Sequence, residues 1–149
     1  MNPISNPVRK RESAFWGQLK SHTKKHSDFI LTRVETYGTQ GFPDVVACGP
    51  NGIFHMIELK HQFGKKVELS PHQVAFQARH KNAPVWTLIK KSTVRKTGYD
   101  LFLYHAKKVV DLKMDGLEVR PCCYVSEAQK IGWNRIFKTL LNWEVKLCS

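Results

Sequence analysis

The chain has 149 residues, 24 of them Lys or Arg against 12 Asp or Glu, a formal net charge of +12 before any of its 7 histidines is counted. A hydrophobic content of 42% with 11% aromatics supports one domain with its own core and excludes wholesale disorder. No apolar run nears the ~18–20 residues of a membrane span, and the polar, basic beginning is not that of a secretory signal.

Residues 1–10, with Pro3 and Pro7, read as a mobile basic arm, and residues 11–149 as a single domain. Residues 12–22 read as a helix, with Phe15, Trp16 and Leu19 at helical spacing. Residues 28–36 are rich in β-formers and predict a strand; residues 37–42 contain two glycines and predict a loop. A hairpin follows, with strands over residues 44–48 and 53–60 around the turn Gly49-Pro50-Asn51-Gly52. Ser70-Pro71 opens a helix that runs to about residue 81, with serine as cap and proline in the first turn. Strands are expected over residues 85–90 and 100–105.

Residues 126–147 read as one long helix, with Ser126 and Gln129 spaced as a capping box and Gly132 weakening its first turns. Ile136, Leu140 and Trp143 make a stripe, with Trp133, Phe137 and Leu141 close by. That is more apolar surface than one side of a small sheet needs, which makes this helix a candidate homodimer interface. The order α-β-β-β-α-β-(β)-α predicts a mixed α/β domain.

Cys48, Cys122, Cys123 and Cys148 show no C-x-x-C spacing. Adjacent Cys122 and Cys123 suit neither a local disulfide nor finger-type zinc, so the expectation is a reduced, intracellular protein without disulfides or structural zinc. The charge excess, with a sequence pI near 9.8, points to nucleic acid. Basic clusters recur at the ends of expected elements, and Arg9, Lys10, Arg11, Lys65, Lys66, Lys90 and Lys91 are the candidate phosphate contacts.

The chemistry-bearing stretch is Gly41-Phe42-Pro43-Asp44 followed by Ile57-Glu58-Leu59-Lys60. Side chains alternate along a strand, so Glu58 and Lys60 share a face, with Cα atoms roughly 6.5–7 Å apart. Asp44 opens the neighbouring strand and reaches the same place if the register allows. Val45, Val46, Ile53, Phe54, Met56, Ile57 and Leu59 make the hairpin hydrophobic. Charged residues in such strands cost free energy unless paired or metal-bound. A solvated Glu58–Lys60 or Asp44–Lys60 ion pair is the plain alternative. Two carboxylates also make a hard oxygen site for Mg²⁺ or Mn²⁺, to which the carbonyl of Leu59 adds a further oxygen. Lys60 is then placed to act on the attacking water and the charged phosphate.

These motifs resemble those of the PD-(D/E)XK nuclease superfamily, and in particular its VRR-NUC branch. There a G-x-P-D turn and an E-x-K strand precede a helix opening with Pro-x-Gln; Pro71-His72-Gln73 matches. The resemblance covers about residues 12–90. It implies a restriction-endonuclease-like core and a Mg²⁺-dependent endodeoxyribonuclease using Asp44, Glu58, Lys60 and Gln73. It also implies a first-helix acid in the metal site, for which Glu12 is the matching position; a helix acid favoured by the macrodipole explains Glu12 otherwise. Glu35 competes for that role, and a surface pair with Arg33 explains it equally well. His55, His61 and His72 lack the spacing of a histidine metal site, and Cys48 is expected in the core.

Size, charge and first-helix acid are similar to those of Holliday-junction resolvases. That likeness implies branched DNA as partner, a homodimer, and an enzyme of phage type in the cytoplasm of an infected bacterium. Nicking, flap-directed or restriction-like cleavage are alternatives, as is non-catalytic DNA binding on a nuclease fold.

Overall fold

The computed structural model describes residues 7–35, 38–93 and 97–143, without the side chains of Val8, Arg9 and His26. Among the predicted DNA contacts, the Arg9 side chain lies outside the described residues. So do residues 1–6 of the expected arm and residues 144–147 of the expected last helix.

The chain runs α1 (Pro7–His26), β1 (Ile30–Arg33), β2 (Val45–Cys48), β3 (Phe54–Gln62), α2 (Pro71–Arg79), β4 (Val85–Ser92), β5 (Tyr99–His105), α3 (Val109–Asp115), β6 (Cys123–Val125), α4 (Ala128–Ile131) and α5 (Asn134–Leu141). The six strands form one sheet in chain order. Every neighbouring pair is antiparallel except β3 and β4, which are parallel. A parallel pair needs a crossover, and α2 supplies it. This is the mixed, helix-flanked sheet expected of a restriction-endonuclease-like core.

Alternation along the strands builds two cores. Ile57 and Leu59 of β3, Trp86 and Leu88 of β4, and Leu101 and Leu103 of β5 face Phe15 and Leu19 of α1 and Trp133, Ile136 and Leu140 of the last segment. On the other face, Ile89 and Tyr104 pack with Val67, Leu69, Val109 and Leu112, and Val85 packs with Phe76 of α2. Glu58 and Lys60 belong to this second face by the same alternation. No helix among the described residues is long and apolar enough to cross a membrane.

Four expectations change. First, α1 begins at Pro7, whose fixed φ suits a first helical position, so residues 7–10 are helical and not part of an arm.

Second, the expected helix over residues 126–147 is two helices. Gly132, at φ +90°, closes α4 with its N–H on the carbonyl of Ala128. Gln129 accepts from the backbone N–H of Tyr99 at 2.9 Å in place of capping a helix start. Trp133, Ile136, Phe137 and Leu140 are all buried against the sheet, so most of the apolar stripe is core; Leu141 is exposed and Trp143 half-buried.

Third, α3 and β6 were not foreseen: at 7 and 3 residues they are too short for a periodic signal. Fourth, the expectation of no disulfide fails at Cys122, which is disulfide-bonded; Cys48 and Cys123 are free. The adjacency of Cys122 and Cys123 argues only against a bond between those two. It carries no information on partners distant in sequence.

Candidate active site

The register of β2 and β3 sets the site. Val45 pairs with Ile57, so the next position out puts Asp44 opposite Glu58, on the same face of the sheet. The Asp44 carbonyl accepts from Val34 N–H at 2.8 Å. Its Oδ2 accepts from Leu59 N–H at 2.9 Å. One position further, Pro43 falls opposite Leu59. Leu59 turns its backbone polar groups towards β2, because backbone groups alternate along a strand and Met56, three positions before it, bonds on the β4 side. Proline has no N–H to offer. The ladder therefore ends there, and the Leu59 carbonyl has no ladder partner beside the two acids.

Glu58 is 3% exposed. Its Oε1 accepts from Gln73 Nε2 at 2.7 Å and lies 3.6 Å from Lys60 Nζ. Gln73 is itself held: its Oε1 accepts from Ser70 N–H at 2.9 Å, and its own N–H bonds Ser70 Oγ at 3.1 Å. The capping box of α2 thus fixes which end of the amide faces the acid. Burial first, and then the neighbouring Asp44 carboxyl within hydrogen-bonding reach, hold Glu58 well above the usual carboxylate range; Lys60 opposes this.

Glu12 comes in from α1. Burial raises its pKa, and it feels Lys60, Asp44 and Arg33. The structure therefore gathers Glu12, Asp44, Glu58, Lys60 and Gln73 at one end of β2 and β3. The loop before Asp44 is pinned by Gly41. At φ +83° its missing side chain lets it lie against the backbone of α2, where a Cβ would run into the carbonyl of His72. An open cleft of about 630 Å³ lies beside the acids, lined in part by Arg33, Glu35, Phe42, Asp44, Ser70 and His72. Glu35 faces this cleft, whereas Glu12 neighbours Asp44 and Leu59.

Among the described residues no three His, Cys, Asp or Glu side chains form a ready-made cage for an ion. Mg²⁺ does not require one, since one or two carboxylates with waters and substrate phosphate hold it. Asp44 and Glu58 meet that description. One named oxygen of each is engaged by a protein donor, and the repulsion stored at buried Glu58 is of the kind that a cation relieves. With the Leu59 carbonyl as a third oxygen and Glu12 nearby, the donor set fits a hard divalent cation and not a soft one.

The predicted phosphate contacts separate. Lys10 is exposed, and Arg11 lies over the Phe63 ring at 5.3 Å. Lys65 and Lys66 are exposed and paired with Glu118 at 3.3 Å and Glu68 at 3.4 Å. Lys91 is half-buried. Lys90 is not a surface residue. It is 8% exposed, donates to Gln18 Oε1 at 2.7 Å and sits 4.6 Å from the centre of the Tyr99 ring. A strand lysine inside a basic run reads as surface, and only the fold reveals its partners. Sequence reasoning also passed over Arg33 as a site residue, since nothing marks it beyond its place near Glu35.

No protein-family model and no curated protein matches the chain. Among solved structures it is similar to the 1.6 Å structure of Hjc from Archaeoglobus fulgidus, a Holliday junction resolvase from an archaeal hyperthermophile. Identity is 22%, covering 64% of this chain and 77% of that one, with a TM-score of 0.42. A likeness that distant bears on neither residue roles nor activity, and the resemblance to VRR-NUC proteins rests on the motif residues alone.

Proposed function

We propose that the protein is a Mg²⁺-dependent endodeoxyribonuclease that hydrolyses phosphodiester bonds, with branched DNA such as a Holliday junction as its preferred substrate. The observation that carries this reading is the buried Glu58 carboxyl, set against Asp44 and held by both Gln73 and Lys60. A fold gains nothing in stability from two carboxyls packed together in this way. The arrangement is costly structurally and suited to catalysis.

A divalent cation on Asp44, Glu58 and the Leu59 carbonyl, with Glu12 beside it, would supply Lewis-acid activation of phosphate and water. The protein's own groups do the rest. Gln73 keeps Glu58 in one orientation. Lys60 stands 3.6 Å from Glu58 and can hold the attacking water and stabilise charge on the non-bridging oxygens as the P–O bond to the leaving sugar breaks. The net charge of +12 draws the DNA in. Cutting both strands of a junction calls for two sites at a fixed distance, which a homodimer supplies. The compartment that suits this reading is the cytoplasm, in the phage version that of an infected bacterium.

The test is a panel of four-way, flap and linear duplex DNA, incubated with wild type and Asp44→Asn in Mg²⁺ or EDTA. Wild-type cleavage in Mg²⁺ that Asp44→Asn and EDTA both abolish is expected, with the four-way junction cut fastest. Absence of cleavage on every substrate overturns the nuclease reading in favour of DNA binding alone; preference for flap or linear DNA overturns the junction preference.

A further inference from the structure

The cleft beside the acids is built to take more of the substrate than the scissile phosphate, an inference that rests on the nuclease reading. Its volume of about 630 Å³ falls within the ~300–1,000 Å³ of small-ligand sites. Asp44 belongs to its wall, so a DNA strand with one phosphate at the acids runs its adjoining nucleotide along the cleft. Among the described residues lining it, Arg33 is the sole lysine or arginine.

Arg33 is placed by the sheet, not by a loop. It is the last residue of β1 and pairs with Val45, next to Asp44; the following residue, Val34, bonds the Asp44 carbonyl at 2.8 Å. Its guanidinium is close enough to Glu12 to be felt there, and it lines the small crevice holding Glu12, Asp44 and Leu59 as well as the main cleft. Yet among the described residues it is in none of the ion pairs, which join Lys60, Lys65, Lys66 and Lys130 to their acids. A planar, permanently charged fork with no carboxylate at ion-pair distance among the described residues, at the rim of a phosphate-handling site, suits a phosphodiester in two-point contact. Glu35 on the same cleft repels phosphate and leaves the Arg33 side as the place for it. We propose that the cleft holds the nucleotide adjoining the scissile phosphate, with the next phosphate of that strand on Arg33.

The experiment measures binding, so that it does not depend on cleavage. Four-way junctions carry one neutral methylphosphonate at successive positions along a strand through the branch point. Affinities for wild type, Arg33→Ala and Arg33→Lys are taken in EDTA by fluorescence anisotropy, with thermal melts to show that the variants fold. Arg33→Ala is expected to weaken the unmodified junction about tenfold and to lower the log affinity against log salt slope by about one. One methylphosphonate position is expected to weaken wild type to a similar degree and to leave folded Arg33→Ala unchanged, with Arg33→Lys between the two.

If every position weakens Arg33→Ala as much as wild type, the contact does not exist and the proposal fails. This holds even where Arg33→Ala slows cleavage, which then acts through Glu12. Coupling without cleavage in Mg²⁺ keeps the subsite and sinks the nuclease reading; cleavage without coupling does the reverse.

Discussion

The amide of Gln73 donates to Glu58 Oε1 at 2.7 Å while its own oxygen accepts from Ser70 N–H at 2.9 Å, so one side chain both caps a helix and aims a carboxyl. Gln73→Ala is expected to lower stability by about 1 kcal/mol through the lost cap and cleavage by about 10- to 100-fold. Gln73→Glu keeps the cap but sets a further carboxylate against Glu58, and should cut at least as poorly as Gln73→Ala. Thermal melts beside cleavage rates separate the two roles.

Glu58→Gln should lose at least ~100-fold in cleavage and yet be more stable than wild type without metal. Glu58 holds its proton above the pH at which the unfolded chain, near 4.5, gives it up. Rising pH therefore favours the unfolded chain until the folded carboxyl also ionises. The stability gap between variant and wild type should be small at pH 4 and widen towards neutrality. A gap that is flat in pH means that burial of Glu58 carries no such cost.

Lys60→Ala should abolish turnover while Mn²⁺ still binds, since the ammonium acts on water and phosphate, not on the cation. Calorimetric titration of Mn²⁺ alongside cleavage checks this. Normal cutting by Lys60→Ala would reduce the lysine to an ion-pair partner of Glu58.

Gly41→Ala adds a Cβ where the His72 carbonyl stands and asks alanine to hold a positive φ. The loop must withdraw from α2, carrying Pro43 and Asp44 with it. Cleavage should fall by about tenfold or more, with the melting temperature lowered. Gly64→Ala, where a Cβ meets open space, is the matched control.

His55 is fully buried and accepts from the Trp86 indole at 3.1 Å, and burial lowers its pKa from 6.5 to about 4. Between those values the unfolded chain takes up a proton that the folded chain refuses, so stability falls as the pH drops from about 6.5 towards 4. His61, also lowered to about 4, adds in the same direction. Melts across this window should show a shallower slope for His55→Gln than for wild type.

The residues at the centre of the site were legible because they break a local rule. Glu58 and Lys60 interrupt a hydrophobic strand and Asp44 directly precedes another, and the Gly49–Gly52 turn fixes which strand faces which. Ser70 and Gln73 announced themselves as helix-start chemistry. What stayed hidden depends on distance along the chain. Lys90 finds Gln18 across 72 residues, and no local pattern separates it from the solvated lysines around it. The break at Gly132 was visible as a weak residue in a helix, but apolar residues on both sides of it suggested continuity. They meet the same core from two helices instead of one. Positions are easier to read than burial, and burial decides how little of the apolar stripe and of Lys90 reaches the surface.

Pro43 makes this region an unfinished piece of sheet. Any other residue there would bring an N–H to face the Leu59 carbonyl, lengthen the β2–β3 ladder by one pair and make the hairpin more regular. The oxygen would then be spent on the fold. Regularity and readiness are opposed at this one position, and the missing hydrogen of a proline ring keeps the strand end from closing over its own chemistry.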